Sequence, residues 1–419
     1  MIKDFEQKLQ NYADVTVKVG LNIRSGQRLI IGGPLTRGVD IVLAPLVRLI
    51  AASAYKAGAS YVDVIWGDPA LRLLRYQKAP RDSFDEFSTW LVNARVDYLK
   101  RGDAILTISA DDPALLKGQD PVMVGQEMHA VAKHGAPVRE FISRNAVNWC
   151  VIAGAVPGWA SRVFPDRSPE EQVDSLWQAI FTMCRIDQPD PVAAWGTHVK
   201  QLVSRSDYLN HKAYDALHYT GPDTDLTIGL PAGAIWNAAG SKSESGIDFI
   251  ANLPTEEIFT LPHRDRIDGT IRASRPLNQS GSLIEDFSLT FEKGHVVKAD
   301  AAQGGDILKQ LLATDEGATS LGEVSFVPYT SPISLTKTLF FNTLIDENAA
   351  SHLAFGNAYR FTLSGAEGMT DEQFQAAGGN MSGIHVDFMV GSNRLDIDGL
   401  TKDGQVEPIM RQGEWAFKV

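Results

Sequence analysis

Residues 26–66, GQRLIIGGPLTRGVDIVLAPLVRLIAASAYKAGASYVDVIW, decide how the first half of this chain folds. The run Arg28–Gly33 is short, apolar and closed by paired glycines, the pattern of a buried strand. A helical stretch over 39–57 follows and stops at Gly58, a residue type that commonly ends a helix. Tyr61–Trp66 reads as the next strand. Outward from this unit the pattern repeats. Residues 3–19 are expected to be helical, with Phe5, Leu9, Tyr12 and Ala13 near one face, although Val15, Val17 and Val19 alternate and could be extended. Helices over about 84–100, 121–134 and 169–186 separate strands at 103–109 and 149–152. Strands separated by helices imply an α/β N-terminal domain with a mainly parallel sheet covered on both faces. The turn Gly32–Gly38 lies between a strand and a helix, where a phosphate can be cradled. It matches neither the dinucleotide fingerprint nor the P-loop, so a plain strand-to-helix turn is the stronger reading.

The second half reads differently. The Pro-rich DQPDPVAAW, 187–195, breaks one helix, and another is expected over about 191–206. From about 224 strands dominate: LTIGL, a hairpin over 287–301 turning at Lys293-Gly294, GEVSFVP, TLFFNTLI and GIHVDFMVG, with a helix over about 303–313. This is a strand-rich α+β C-terminal catalytic domain. The boundary falls near 210, giving domains 1–210 and 211–419.

Composition sets the function classes. A chain of 419 residues with 44% hydrophobic and 21% charged residues is an ordinary globular chain of about two domains. A net charge of −12 argues against nucleic acid or an anionic membrane as partner. Cys150 and Cys184 sit in apolar runs and read as buried free thiols rather than a disulfide or a nucleophile. MIKDFEQKLQNYADVTV has no apolar signal-peptide core. Ile41–Ala54, the longest apolar stretch, contains Arg48 and is too short to span a bilayer. A cytoplasmic location is the expectation.

Carboxylates and imidazoles recur through the strand-rich half, in mostly apolar segments where they are costly unless paired or bound to a metal. A Glu, Asp and His set without Cys favours a hydrolytic metal site over a structural zinc. His385-Val386-Asp387 places two potential ligands on one face of a strand, or Asp387 merely orients His385. Glu323 lies inside the apolar LGEVSFVP, either on a solvent face or functional. Glu256 and Glu257 point to opposite faces if extended, so only one can reach a given site. Glu347 and His352 are five apart and would diverge by about 140° on a helix, so a loop or distorted turn suits them better. Tyr359 follows, either a core phenol or a donor to a developing oxyanion. His263 is read as a neighbour or substrate-facing residue, not a ligand. There is no Gly-x-Ser-x-Gly elbow and no His-Glu-x-x-His helix.

NLPTEEIFTLPHRDRIDG (252–269), LGEVSFVP (321–328), FFNTLIDENAASHLAFGNAY (340–359) and HVDFMVGS (385–392) together resemble the aminopeptidase T family, a thermophilic metallo-aminopeptidase group. The resemblance covers essentially the whole chain. It implies a cytoplasmic, homodimeric exopeptidase acting on peptides with a free N-terminus, with two divalent metal ions (Zn, Co, Mn or Mg). On the matching positions it implies Glu257, Glu323, His352, His385 and Asp387 as metal ligands, with Glu323 bridging. It further implies Glu347 as general base and Tyr359 as transition-state donor. The alternatives are another metal-dependent amidohydrolase on the same scaffold, or a non-enzymatic peptide-binding protein.

Overall fold

The computed structural model describes residues 2–34, 37–279 and 282–419. Leu35 and Thr36, in the middle of the Gly32–Gly38 turn, lie outside the described residues. The chain forms two compact units. The first comprises residues up to 198, 240–254 and 339–344. The second comprises 199–239, 255–338 and 345–419.

The first unit is built on a five-stranded parallel sheet in the order Asn252–Leu253, Trp149–Ala153, Ala104–Ser109, Arg28–Gly32, Tyr61–Val64. The parallel sheet and intervening helices agree with the sequence pattern. Leu106, Ile108, Cys150 and Ile152 are buried on one sheet face, which accounts for the apolar runs that mark these strands. Both thiols are buried and free. The N-terminal helix Phe5–Val15 does not give way to a strand; it continues as a π-helical segment, Thr16–Leu21. Two helices had not been expected: Pro69–Lys78, of which only Tyr76 is buried, and the short Pro157–Val163. The helix from Pro121 runs on to Ser143. TLFFNTLI, read as a strand, is not one. Its Phe340 carbonyl accepts from Trp159 Nε1 and its Asn342 donates to Ser109 Oγ. Segment 339–344 therefore belongs to the first unit.

The second unit holds two antiparallel sheets. The larger includes the hairpin Ser282–Glu292 with His295–Gln303, turning at Lys293-Gly294 as expected. Both turn residues have positive φ, 49° and 88°, the requirement of a tight hairpin turn. A Cβ on Gly294 would lie 1.8 Å from the Arg264 carbonyl oxygen. The smaller sheet runs His385–Met389, His352–Gly356, Leu321–Phe326, Ile258–Thr260, Asn237–Ala238. One face carries Val324, Phe326, Leu353, Phe355 and Phe388, all buried. Phe355 stacks on Phe388 with centroids 4.5 Å apart, and Phe388 meets Phe287 of the large sheet at 5.7 Å. Each such side chain contributes about 1.5–3 kcal/mol on burial, so this face anchors the other. No helix among the described residues is long and apolar enough to cross a membrane.

Candidate metal centre

Strand pairing assembles the polar face. Ser325 lies opposite His352 and Glu323 opposite Ala354. In the next ladder His352 faces Met389, Ala354 faces Asp387 and Gly356 faces His385. On the other side Phe259 pairs with Ser325, and Glu257, two residues before it, falls on the same face. Glu257, Glu323, His352, His385 and Asp387 therefore share one surface of the sheet. Ala354 and Gly356 stand among them, where small side chains keep the space open.

The groups meet closely. His352 Nε2 lies 3.2 Å from Glu257 Oε2 and 3.3 Å from Glu323 Oε1. His385 Nε2 lies 3.7 Å from Glu323 Oε2 and 3.3 Å from Asp387 Oδ1. Two clusters of metal-ligand geometry result, Glu257–Glu323–His352 and Glu323–His385–Asp387, with Glu323 in both. Ser325 Oγ donates to Glu257 Oε2 at 2.8 Å, a contact that sequence reasoning missed. The sequence carried half the signal: Ser325 is two residues from Glu323 and so shares its strand face, while its meeting with Glu257 depends on the register with Phe259.

The remaining expected residues surround this set. Glu347 sits in a 3-10 turn, Glu347–Ala349, just before the His352 strand, and is half-buried. Burial, then Glu257 and Asp387, raise its carboxyl well above the usual range. The Tyr359 ring lies 4.9 Å from that of His385, and burial and Glu323 hold its phenol protonated. Glu256 is buried and absent from both clusters; its N–H donates to Asn348 Oδ1 at 2.7 Å. Of the acidic pair, Glu257 is the one that reaches His352. His263 also stays out: its Nδ1 accepts from the Asp265 N–H in a turn.

The donor set fits cations. His352 Nδ1 lies 3.1 Å from the Ala350 carbonyl and His385 Nδ1 2.7 Å from that of Asn357. A carbonyl only accepts, so each Nδ1 carries the proton, and in the neutral ring Nε2 presents a lone pair. Those lone pairs face carboxylate oxygens, an arrangement that needs a proton or a cation between them. Protonation is one answer. Burial disfavours it at His352, but Glu257 and Glu323 outweigh burial and push that imidazole well up. Against the same opposition, Asp387 and Glu323 push His385 up to about 9. Burial and the neighbouring Glu257 and Asp387 raise Glu323 despite its contact with His352. Burial also opposes ionisation of Asp387, yet His385 and His352 hold it below its ordinary value. Asp387 Oδ1 is buried and accepts no hydrogen bond from the described residues. Three carboxylates, Glu257, Glu323 and Asp387, against two imidazoles leave an excess of negative charge that divalent cations would neutralise.

Known proteins resemble this chain over nearly its whole length. Residues 5–415 match the model of the thermophilic metalloprotease (M29) family. The chain is 44% identical to aminopeptidase AmpS of Bacillus subtilis over 413 residues, 99% of each chain. It is 44% identical to aminopeptidase T of Thermus thermophilus over 411 residues, 98% of this chain and 99% of that one. The structure of wild-type AmpT from Thermus thermophilus superposes with a TM-score of 0.92 at 42% identity, covering 99% of this chain and 100% of that one. The family resemblance and the fold class expected from the sequence are borne out, and the chain belongs to the thermophilic metalloprotease (M29) family.

Proposed function

We propose that this chain is a metal-dependent aminopeptidase that removes N-terminal residues from peptides, with Glu257, Glu323, His352, His385 and Asp387 holding two divalent cations. The observation that carries the reading is the position of Glu323, whose two oxygens face different imidazoles and which belongs to both ligand clusters. Zinc, cobalt, manganese and magnesium all accept such oxygen and nitrogen donors to different degrees. Bound there, the ions would supply Lewis acidity, activating water near neutral pH and polarising the scissile carbonyl.

The chain's own groups do the rest. Glu347 is the general base: it takes the proton of the attacking water and passes it to the leaving amine. Its position in a turn beside the clusters, rather than inside one of them, suits a carboxylate that must exchange protons. Tyr359, beside His385, donates its phenolic O–H to the oxygen that gains charge as the carbonyl carbon becomes tetrahedral. Ser325 and the carbonyls of Ala350 and Asn357 orient Glu257, His352 and His385, so the ligand atoms are placed before any ion arrives. The free amine of the substrate would be held by the acidic face, which confines cleavage to the N-terminus. The resemblance also carries a homodimer and a cytoplasmic location; sedimentation of the purified protein tests the first.

The test of the function compares a free-amine dipeptide with its N-acetylated twin, before and after chelation and metal return. Cleavage of only the free peptide, lost with chelator and restored by metal, is expected. Cleavage of both would shift the assignment to another amidohydrolase. Cleavage of neither by metal-loaded protein would remove the peptidase reading.

A further inference from the structure

The first unit contains a cavity of about 500 Å³ whose lining includes none of the candidate metal ligands. Its floor is one face of the parallel sheet: Ile105, Thr107 and Ser109, with Trp149 and Val151 of the next strand. Buried parallel strands ordinarily carry branched apolar residues on both faces. Here the opposite face does so, while Thr107 and Ser109 are small, polar and only half-buried. Val138 and Ile142 of the helix Pro121–Ser143, with Phe341, form other walls. The helix therefore covers this sheet face incompletely.

Arg95, from the helix Trp90–Lys100, reaches this cavity and is only 4% exposed. Gly32 makes room for it: a Cβ there would lie 2.4 Å from Arg95 Nη2. That nitrogen donates to the carbonyls of Gly33 (3.0 Å) and Arg37 (2.8 Å). These are the guanidinium's only hydrogen bonds to the described residues, and no carboxylate pairs with it. Burial without a counter-ion pulls its pKa down to about 10. A buried, uncompensated guanidinium is costly, and it persists in a chain rich in carboxylates. Two other charged groups line the cavity: Asp111 is paired with Arg37 at 2.8 Å, and Arg139 is exposed and donates to the Ala132 carbonyl.

We propose that this cavity binds a small carboxylate with an apolar body, the anion seated on Arg95 and the body between the sheet and Val138, Ile142 and Phe341. One buried positive charge without a carboxylate partner, among mostly apolar walls, matches a monoanion. A phosphate dianion would bring a second charge into a setting that offers nothing to balance it. Gly32 thus serves an anion indirectly, by admitting the Arg95 guanidinium.

The test uses the metal-loaded full chain with 3-phenylpropionate, its neutral amide and inorganic phosphate, read by calorimetry. The acid is expected to bind at least about tenfold more tightly than the amide or phosphate, the contrast of a charged hydrogen bond. Binding is expected to survive chelation, which separates this cavity from the metal centre. Val138→Trp places an indole where the apolar body would sit and leaves the Arg95 side chain in place, and is expected to abolish binding while the melting temperature and peptide cleavage hold. Arg95→Met is expected to lose the acid-over-amide preference; if it does not fold, Val138→Trp decides. Equal binding of acid and amide, undiminished binding by Val138→Trp, loss of binding with chelator, or no binding of the acid at millimolar concentration would each overturn the proposal.

Discussion

Glu323→Gln separates two binding sites that share a ligand from two that do not. Glu323 Oε1 lies 3.3 Å from His352 Nε2 and Oε2 3.7 Å from His385 Nε2, so one substitution removes charge from both clusters. A carboxylate and a divalent ion about 4 Å apart interact by about 8 kcal/mol at an effective dielectric of 20, partly offset by the cost of desolvating the carboxylate. At about 1.4 kcal/mol per decade, each site is expected to weaken by about three decades or more. Asp387 and Glu257 belong to one cluster each, so Asp387→Asn and Glu257→Gln are expected to weaken one site and leave the other within about a decade. The assay is metal content per chain by elemental analysis after dialysis against low-micromolar metal, alongside titration calorimetry. Two ions in the parent, none in Glu323→Gln and one in each of the other variants is the expected series. Glu323→Gln protein that keeps one tight ion, with the other variants equal to the parent, would refute the shared-ligand geometry.

Three further outcomes follow from contacts already described or close to them. Ser325→Ala removes the donor to Glu257 and is expected to lower metal affinity by about 10–100-fold while leaving fold and circular dichroism intact. Gly294→Ala forces a side chain onto a positive φ and into the Arg264 carbonyl; a loss of about 1–3 kcal/mol or more is expected in urea unfolding. In the first unit Glu127 accepts from Arg72 Nη2 and Tyr76 Oη, each at 2.6 Å. Burial opposes its ionisation, but these partners outweigh burial and hold its carboxyl below the usual range. Its stabilisation is therefore complete above the unfolded value, about 4.3, and is lost as pH falls through the folded value. Glu127→Gln is expected to be less stable at pH 7 and to show a shallower fall in melting temperature below about pH 4.3.

The candidate metal centre was legible because its chemistry contradicts its surroundings. Glu323 inside LGEVSFVP and the alternation His385-Val386-Asp387 mark polar groups on apolar strands, and a period of two fixes which of them share a face. Long-range register cannot be read that way. Nothing local says that Ser325 meets Glu257 or that Ala354 stands opposite both Glu323 and Asp387. TLFFNTLI has the length and aromatic content of a strand, yet Phe341 takes φ 56° and the segment packs irregularly, because tertiary contacts through Phe340 and Asn342 override propensity. Pro69–Lys78 was missed although its start was legible: Asp68 caps the helix and Pro69 opens it.

The first unit is not one stretch of chain, and this bears on how the protein can be cut. Its sheet ends on Asn252–Leu253, which covers the hydrogen-bonding edge of Trp149–Ala153, and Ala251 accepts from the Val151 N–H at 2.7 Å. A fragment stopping at 198 would carry that edge bare, together with Trp159 deprived of the Phe340 carbonyl. Bare edges of buried strands recruit other chains. Expression of the N-terminal half alone should therefore yield aggregates, and a soluble version would have to bring residues 240–254 and 339–344 back through designed linkers.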